Sequence, residues 1–310
     1  MHSEEVWYSN PWNNDGFILM ITIKDLKWSY KNFSLSIDDL TLKNGINILV
    51  GNNGSGKSTL LHLLATAFTA PKGAIQYDGD TMDNNLVQVR SKIGFVPTGI
   101  ELYQDYTPYK LMLYMSQLKG IGKSFALQQT KELLRVFHLE DVAQKKIKRL
   151  SQGMQQRLAL AQAFIGRPRY IFLDEPLNFL DIHERKCLLN YLTTLSSQCV
   201  IVVATHELNE WEEICHSVLW MNCGAFLFSG SKTMWKANLP SSVWKGELQD
   251  EEYDDFSKRH LIVYAGRLPK GLLVKCAAQQ KPAPGFVNTP PTMEDAFFIR
   301  KQSIKEARDS

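Results

Sequence analysis

Apolar and polar positions change period several times along this chain, and each change marks an element. From Ile21 to Leu42 they alternate, ITIKDLKWSY followed by FSLSIDDLTL, which is the two-residue period of half-buried strands. INILV (Ile46–Val50) is a continuous apolar run that ends in a glycine-rich turn. KSTLLHLLATAF follows with helical spacing, and the pattern predicts a helix that runs on until Pro71 stops it. YIFL (Tyr170–Leu173) and VIVVAT (Val200–Thr205) are further continuous runs ending at polar residues. Helical patterns precede both of them, LAQAFI and RKCLLNYLTTL. Strands apolar on both faces belong to parallel sheets covered by helices, so the fold class is α/β with a parallel core.

The rest of the chain divides around that core. Between the strand IGFVP (Ile93–Pro97) and Leu150 the residues favour helices, as in YKLMLYMSQLKG and LQQTKELLRVFHL, so a helical insertion is expected over about 99–165. GAFLFSG (Gly224–Gly230) reads as a hairpin closing the main domain. LQDEEYDDFSK is acidic enough to serve as a boundary, with HLIVYAG and LLVKC as strands of a small appendage. At 310 residues the prior is about two domains. The division expected is a loosely attached extension over 1–19, a main domain over 20–230 and a C-terminal extension over 231–310.

Composition mainly removes alternatives. Lysine and arginine number 35 against 32 acids, a net charge of +3, which is too mild to indicate a nucleic-acid partner. No apolar run reaches the ~18 residues of a membrane span, so a membrane role would come through a partner. The first residues, MHSEEVWYSN, are acidic where an export signal is basic. Five cysteines (Cys187, Cys199, Cys215, Cys223, Cys276) form no CxxC pair, which suits buried reduced thiols better than a metal or disulfide framework. The run KKIKR (Lys145–Arg149) reads as a solvated face.

The candidate chemistry sits where the apolar runs end. GNNGSGKST, comprising Gly51, Asn52, Asn53, Gly54, Ser55, Gly56, Lys57, Ser58 and Thr59, satisfies G-x-x-x-x-G-K-[ST] between a strand and a helix. Its glycines let backbone N–H groups wrap a triphosphate, with the helix N-terminus adding partial positive charge. Lys57 adds a point charge, and Ser58 offers a hydroxyl to Mg²⁺. Asp174, ending YIFLDEP, would hold Mg²⁺ through water, and Glu175 would polarise a water for in-line attack. His206 ends VIVVATH, where strand C-termini in an open parallel sheet face the ligand crevice, so its imidazole is expected to hydrogen-bond the γ-phosphate and orient the water. LSQGMQQRLALAQAF opens a helix with Ser151 as a good N-cap residue, and Met154, Leu158, Ala161 and Ile165 recur at helical spacing.

The phosphate loop, LSQGM, YIFLDEP, NFLD and VATHE, in that order, resemble the ATP-binding cassette (ABC) ATPases over about residues 21–230. The resemblance implies a P-loop NTPase fold: a RecA-like parallel core, an antiparallel β subdomain and a helical subdomain, here with a small C-terminal extension. It implies two cassettes paired head to tail, as homodimer or heterodimer, with ATP and Mg²⁺ between them. Ser151, Gln152, Gly153 and Met154 would then contact nucleotide held by the partner, and Asp181 of NFLD would lie in the loop between sites. Tyr30 matches the aromatic that stacks on adenine, with Trp28 a competitor.

Three departures stand out. Thr98 occupies the position after VP where the family usually has glutamine reaching toward Mg²⁺ and the water; the shorter threonine reaches less far and would serve the metal only through a water. LSQGM replaces the common LSGGQ, a form like that of antibiotic- and peptide-exporter ATPases, and PPTMEDAFFIR (Pro290–Arg300) is similar to the tail of that subgroup. The function implied is ATP hydrolysis powering a separately encoded permease, an exporter, with no nucleic-acid partner. The chain would be cytoplasmic and peripheral on the inner face of the cell membrane. The alternatives are a soluble ABC ATPase acting on a ribosome, DNA or cluster scaffold, and a weakly hydrolysing regulatory cassette.

Overall fold

The computed structural model describes residues 18–309. The extension expected over 1–19 therefore lies outside the described residues except at its end. There Leu19 is buried, and its N–H donates to Asn44 Oδ1 at 2.9 Å, so this residue belongs to the fold. The chain forms two compact units, one of residues up to His206 with Ile214–Ser229, the other of Glu207–Glu213 with Gly230–Ser310.

The first unit begins with a long hairpin, β1 (Met20–Tyr30) and β2 (Phe33–Lys43), paired antiparallel from Met20↔Lys43 to Tyr30↔Phe33. Asp25, at φ 48°, resets the alternation of β1, so Ile21, Ile23 and then Leu26 all face inward. β3 (Gly45–Val50) leads into the phosphate-loop sequence and α1 (Lys57–Leu64). Next come β4 (Ile75–Tyr77), β5 (Asp80–Thr81), α2 (Met82–Ser91) and β6 (Ile93–Val96). The segment after β6 is helical, with α3 (Pro108–Leu118), α4 (Lys123–Val136) and α5 (Gln152–Ala163). β7 (Tyr170–Asp174), α6 (Ile182–Leu195) and β8 (Val200–Ala204) follow, and the hairpin of β9 (Ser217–Asn222) and β10 (Ala225–Ser231) completes the unit.

These strands make two sheets. One has the order β2-β1-β4-β5 and is antiparallel; the other has the order β10-β9-β3-β8-β7-β6, with parallel pairing from β9 through β3, β8 and β7 to β6. Every residue of β3, β7 and β8 is buried, as their continuous apolar runs predict. A single core joins Ile21, Ile23 and Leu35 of the antiparallel sheet to Phe172 and Val202 of the parallel one, with Leu60, Leu61, Leu63 and Leu64 of α1 among them. Each such leucine contributes about 1.5–3 kcal/mol by leaving water, so α1 is fixed from both sides.

Several local expectations need correction. α1 ends at Leu64 rather than near Pro71, because Thr66 turns left-handed (φ 59°) and its Oγ1 accepts from Arg90 Nε. Ile165 lies beyond the end of α5, although it is buried. The KKIKR run is not a uniform solvated face, since Ile147 is fully buried while Lys146 and Lys148 both approach Asp105.

In the second unit, α7 (Lys232–Lys236) and β11 (Ser242–Leu248) precede α8 (Asp250–Arg259), and β12 (Leu261–Arg267), β13 (Leu272–Ala278), β14 (Val287–Thr289) and α9 (Met293–Asp309) follow. Its sheet has the order β12-β13-β11-β14 and is antiparallel throughout. Leu248, Phe256, Val274, Cys276 and Phe286 fill one small core, and Trp235 is fully buried with its Nε1 donating to Met293 O. The acidic stretch expected to be a boundary is α8 itself, held by a capping box between Gln249 and Glu252. Its acids crowd the first turn and Lys258 and Arg259 the last, an arrangement that suits the helix dipole.

Candidate active site

Because β3, β8, β7 and β6 are parallel neighbours, the segments leaving their C-terminal ends emerge side by side. This order places the loop Gly51–Gly56, His206, the pair Asp174–Glu175 and Thr98 along one edge, although the chain separates them widely.

The loop geometry depends on glycine. Gly56 sits at φ 109°, and a Cβ there would lie 2.7 Å from Phe33 Cζ, so the tip of the β1–β2 hairpin presses directly on the loop. α1 then begins without a side-chain cap, leaving its first N–H groups open to an acceptor. Lys57 Nζ donates to Gly51 O at 2.8 Å and to Asn52 O at 3.3 Å, curling the loop over its own lysine. Burial lowers the Lys57 pKa, while the carboxylates of Glu175 and Asp174 pull it back up. Asn52, Asn53, Gly54 and Ser58 are exposed, Thr59 is half-buried, and Ser55 is buried with an unpartnered hydroxyl.

Asp174 is 3% exposed, and its Oδ2 has no hydrogen-bond partner. A buried carboxylate oxygen without a donor is costly unless a ligand satisfies it, and a hard cation does so. The residues here thus fit Mg²⁺. Glu175 follows in the left-handed region at φ 50°, with its N–H donating to Ala204 O at 2.9 Å. That turn brings Glu175 Oε1 within 3.0 Å of His206 Nδ1, the carboxylate largely buried and the imidazole open to solvent. Thr98 Oγ1 donates to the Asp174 carbonyl at 3.4 Å, a long contact that turns the hydroxyl toward the β7 backbone.

The two aromatic candidates occupy different positions. Trp28 is stacked on Phe68 at 5.4 Å and on Tyr30 at 6.1 Å, and Phe68 stacks in turn on His62 of α1. Tyr30 is 60% exposed against 39% for Phe68, so it is the most accessible of these aromatic rings. The ladder needs Phe68 and His62, which neither motif nor spacing singles out.

Ser151, Gln152, Gly153 and Met154 form a second locale. Ser151 caps α5, its Oγ accepting from Met154 N at 3.2 Å, and both Ser151 and Gln152 are exposed. A Cβ on Gly153 would stand 2.8 Å from Phe179 O, so α5 starts in close contact with the loop after Glu175. Gln156 Nε2 donates to Pro176 O at 3.2 Å, and Arg157 lies 3.0 Å from Glu184. Asp181 caps α6 by accepting from Glu184 N at 2.9 Å. The motifs do not single out Gln156 and Arg157, yet these stand three and four positions after Gly153, the spacing at which helix residues share a face. Phe179 and Ile182 leave 65% and 76% of their surface exposed beside this locale.

Comparison with known proteins identifies relatives of this chain. The family described as "ABC transporter" matches residues 35–178. The chain is 30% identical over 238 residues to the uncharacterized ABC transporter ATP-binding protein YxlF of Bacillus subtilis, covering 74% of this chain and 72% of that protein. It is 28% identical to the tungstate uptake system ATP-binding protein TupC of Peptoclostridium acidaminophilum, covering 66% of this chain and 96% of that one. The covered share falls to 11% in long relatives such as the human phospholipid-transporting ATPase ABCA3. A dimeric, post-hydrolysis state of the ATP-binding cassette MJ0796 bound to ADP and Pi superposes with a TM-score of 0.61 at 23% identity, over 68% of this chain and 98% of that one, which identifies a P-loop NTPase fold. A phosphate loop, a paired acid and histidine on adjacent strand ends and these relatives agree, and the chain belongs to the ABC transporter ATP-binding proteins and is an ABC ATPase.

Proposed function

We propose that this chain hydrolyses ATP as one of two cassettes driving a separately encoded membrane permease. The observation that carries the reading is the convergence of Lys57, Asp174, Glu175 and His206 on one sheet edge. In this reading Gly51–Thr59 bind the phosphates and Tyr30 stacks on the base. Asp174 and Ser58 would hold Mg²⁺, which when bound neutralises charge on the triphosphate oxygens. Glu175 accepts a proton from the attacking water, and His206, hydrogen-bonded to it, orients that carboxylate.

Ser151–Met154 serve the nucleotide of a second protomer, and Asp181 lies in the loop that joins the two sites. Support comes from the exposure of Ser151 and Gln152 and from the bare apolar surface of Phe179 and Ile182 next to them. No helix among the described residues is long and apolar enough to cross a membrane, so attachment to the inner face is assigned to the permease. Export is the direction proposed, on the LSQGM form and the PPTMEDAFFIR tail. The uptake-system relative means that motif order alone does not set it.

The test is Glu175→Gln in the full chain with Mg-ATP. Loss of one positioned base lowers turnover by about 10²–10⁴-fold, and a dimer that persists only with ATP is expected by size-exclusion chromatography. Parent-like hydrolysis would mean that Glu175 is not the base.

A further inference from the structure

Outside the nucleotide site, three side chains with metal-ligand chemistry meet on the surface of the first unit. His138 follows α4 at φ 49°, and His183 and Cys187 stand on α6. One ligand atom from each lies within 4.8 Å of the other two. The spacing of His183 and Cys187, four positions apart on one helix, puts both on the same face. Cys187 Sγ is 3.7 Å from His183 Nε2, and the rings of His138 and His183 are stacked with centroids 5.8 Å apart. Zinc bonds of ~2.3 Å to sulfur and ~2.0 Å to nitrogen at a tetrahedral angle place S and N about 3.5 Å apart. The Cys187–His183 pair needs only a few tenths of an ångström of adjustment, and His138, within 4.8 Å of both, has to close the remaining gap.

An outer layer is already built. Glu184 Oε1 lies 3.3 Å from His138 Nδ1, fixing the ring, and Arg157 grips the same carboxylate oxygen at 3.0 Å with both side chains largely buried. Arg157 also donates to the carbonyls of Phe137 and His138 at 3.0 and 2.9 Å, holding the backbone that presents the imidazole. Carboxylates that orient ligating histidines in this way are the usual outer shell of zinc sites.

We propose that His138, His183 and Cys187 form a binding site for a borderline-soft divalent cation, zinc foremost, with one coordination position left to water. Such an ion would tie the end of α4 to α6, the helix that Asp181 caps. Cys187 is half-buried, and burial with the carboxylates of Glu184 and Asp181 raises its thiol pKa, so binding displaces a proton into solvent. The expectation of buried thiols holds for Cys199, Cys215 and Cys276, whereas Cys187 is half-buried and Cys223 exposed.

The experiment uses the full chain without a histidine tag and without nucleotide, titrated with Co²⁺ and then Zn²⁺. One equivalent of Co²⁺ should bind and give thiolate-to-cobalt charge-transfer absorption, which zinc bleaches. Carboxylates of the nucleotide site cannot produce that band. Cys187→Ser should abolish it while Cys223→Ser leaves it, and His183→Gln and His138→Gln should each weaken zinc at least tenfold, measured against a chromophoric chelator. All four positions are at least partly solvent-accessible, and circular dichroism confirms that each variant is folded. A band surviving Cys187→Ser, binding well below one equivalent, or unchanged affinity in both histidine variants would overturn the proposal.

Discussion

The strand-end locale and the α5–α6 locale differ in how much of their polar chemistry is used inside the chain. At the strand ends the groups engage one another: Lys57 holds the backbone of its own loop, Glu175 meets His206, and Asp174 is buried with Oδ2 unpartnered. At α5 and α6, Ser151 and Asp181 cap their own helices and Gln156 and Arg157 brace neighbouring segments, while Ser151 and Gln152 stay exposed beside bare Phe179 and Ile182. A cleft that needs only a ligand is one kind of construction, and a surface that needs a partner is another. The difference teaches that one chain carries two unlike halves, which fits a nucleotide enclosed only when two cassettes meet.

The sharpest way to break this contrast is at Lys57. If the triphosphate binds as proposed, Lys57→Ala removes the ammonium that would face it beside Asp174 and Glu175. A charge-assisted bond of ~1.5–3 kcal/mol corresponds to a loss of about 10–100-fold in Mg-ATP affinity, and hydrolysis should fall below detection. Isothermal titration of the monomer checks it. Undiminished affinity would mean that the strand-end locale is not where the phosphates sit.

Gly153→Val probes the other half. A Cβ at 2.8 Å from Phe179 O forces α5 away from the loop that leads to Asp181. Monomer affinity for Mg-ATP should stay within a factor of about two, because the clash falls at Phe179, beyond Glu175, and not at the phosphate loop. Introduced together with Glu175→Gln, the substitution should reduce the ATP-dependent dimer by about tenfold or more, since overpacking of this kind costs about 1–3 kcal/mol. If monomer affinity fell and pairing survived, the two locales would have to exchange roles.

The same contrast separates what is legible in the sequence from what is not. The strand-end chemistry can be read because each piece is contiguous and follows a mostly apolar strand, so Lys57, Asp174 and His206 come with their own structural context. Where α1 stops cannot be read, since that depends on Thr66 adopting φ 59° beneath Arg90, a contact between distant segments. The α8 sequence has a linker's composition and a helix's charge order, and only the capping pair of Gln249 and Glu252 decides between them. Glu207–Glu213 joins the second unit through Glu212, which accepts from Met293 N and pairs with Lys236, partners that no local pattern announces. His138, His183 and Cys187 are hidden for the same reason: the fold, not their spacing, brings His138 to α6.

A smaller effect is expected at Ser151, which has a structural duty as well as its proposed one. Ser151→Ala removes the α5 cap and should cost about 1 kcal/mol of folding stability. Ser151→Asp keeps a capping oxygen, so stability should return to that of the parent. Its negative charge would oppose a partner's γ-phosphate, so the ATP-dependent dimer should not return with it. Denaturant midpoints and dimer fractions measured on the two variants separate cap from ligand. Recovery of both by aspartate would leave Ser151 with the cap alone.

Thr98 is the exception within the strand-end half, and the smallest effect is expected there. Its neighbours at the other strand ends point functional groups into the cleft, whereas its hydroxyl is spent on the Asp174 carbonyl at 3.4 Å. Asp174 Oδ2 has no partner, so the threonine hydroxyl does not serve it. Thr98→Gln lengthens the side chain by two bonds and supplies both a donor and an acceptor. One added hydrogen bond of ~0.5–1.5 kcal/mol that forms in the transition state raises kcat by about two- to tenfold and leaves ATP affinity nearly unchanged. Steady-state kinetics at saturating Mg-ATP distinguish the outcomes. A fall in KM without a change in kcat would mean that the new amide serves binding alone, and an unchanged kcat and KM would mean that the threonine already does what this strand end requires.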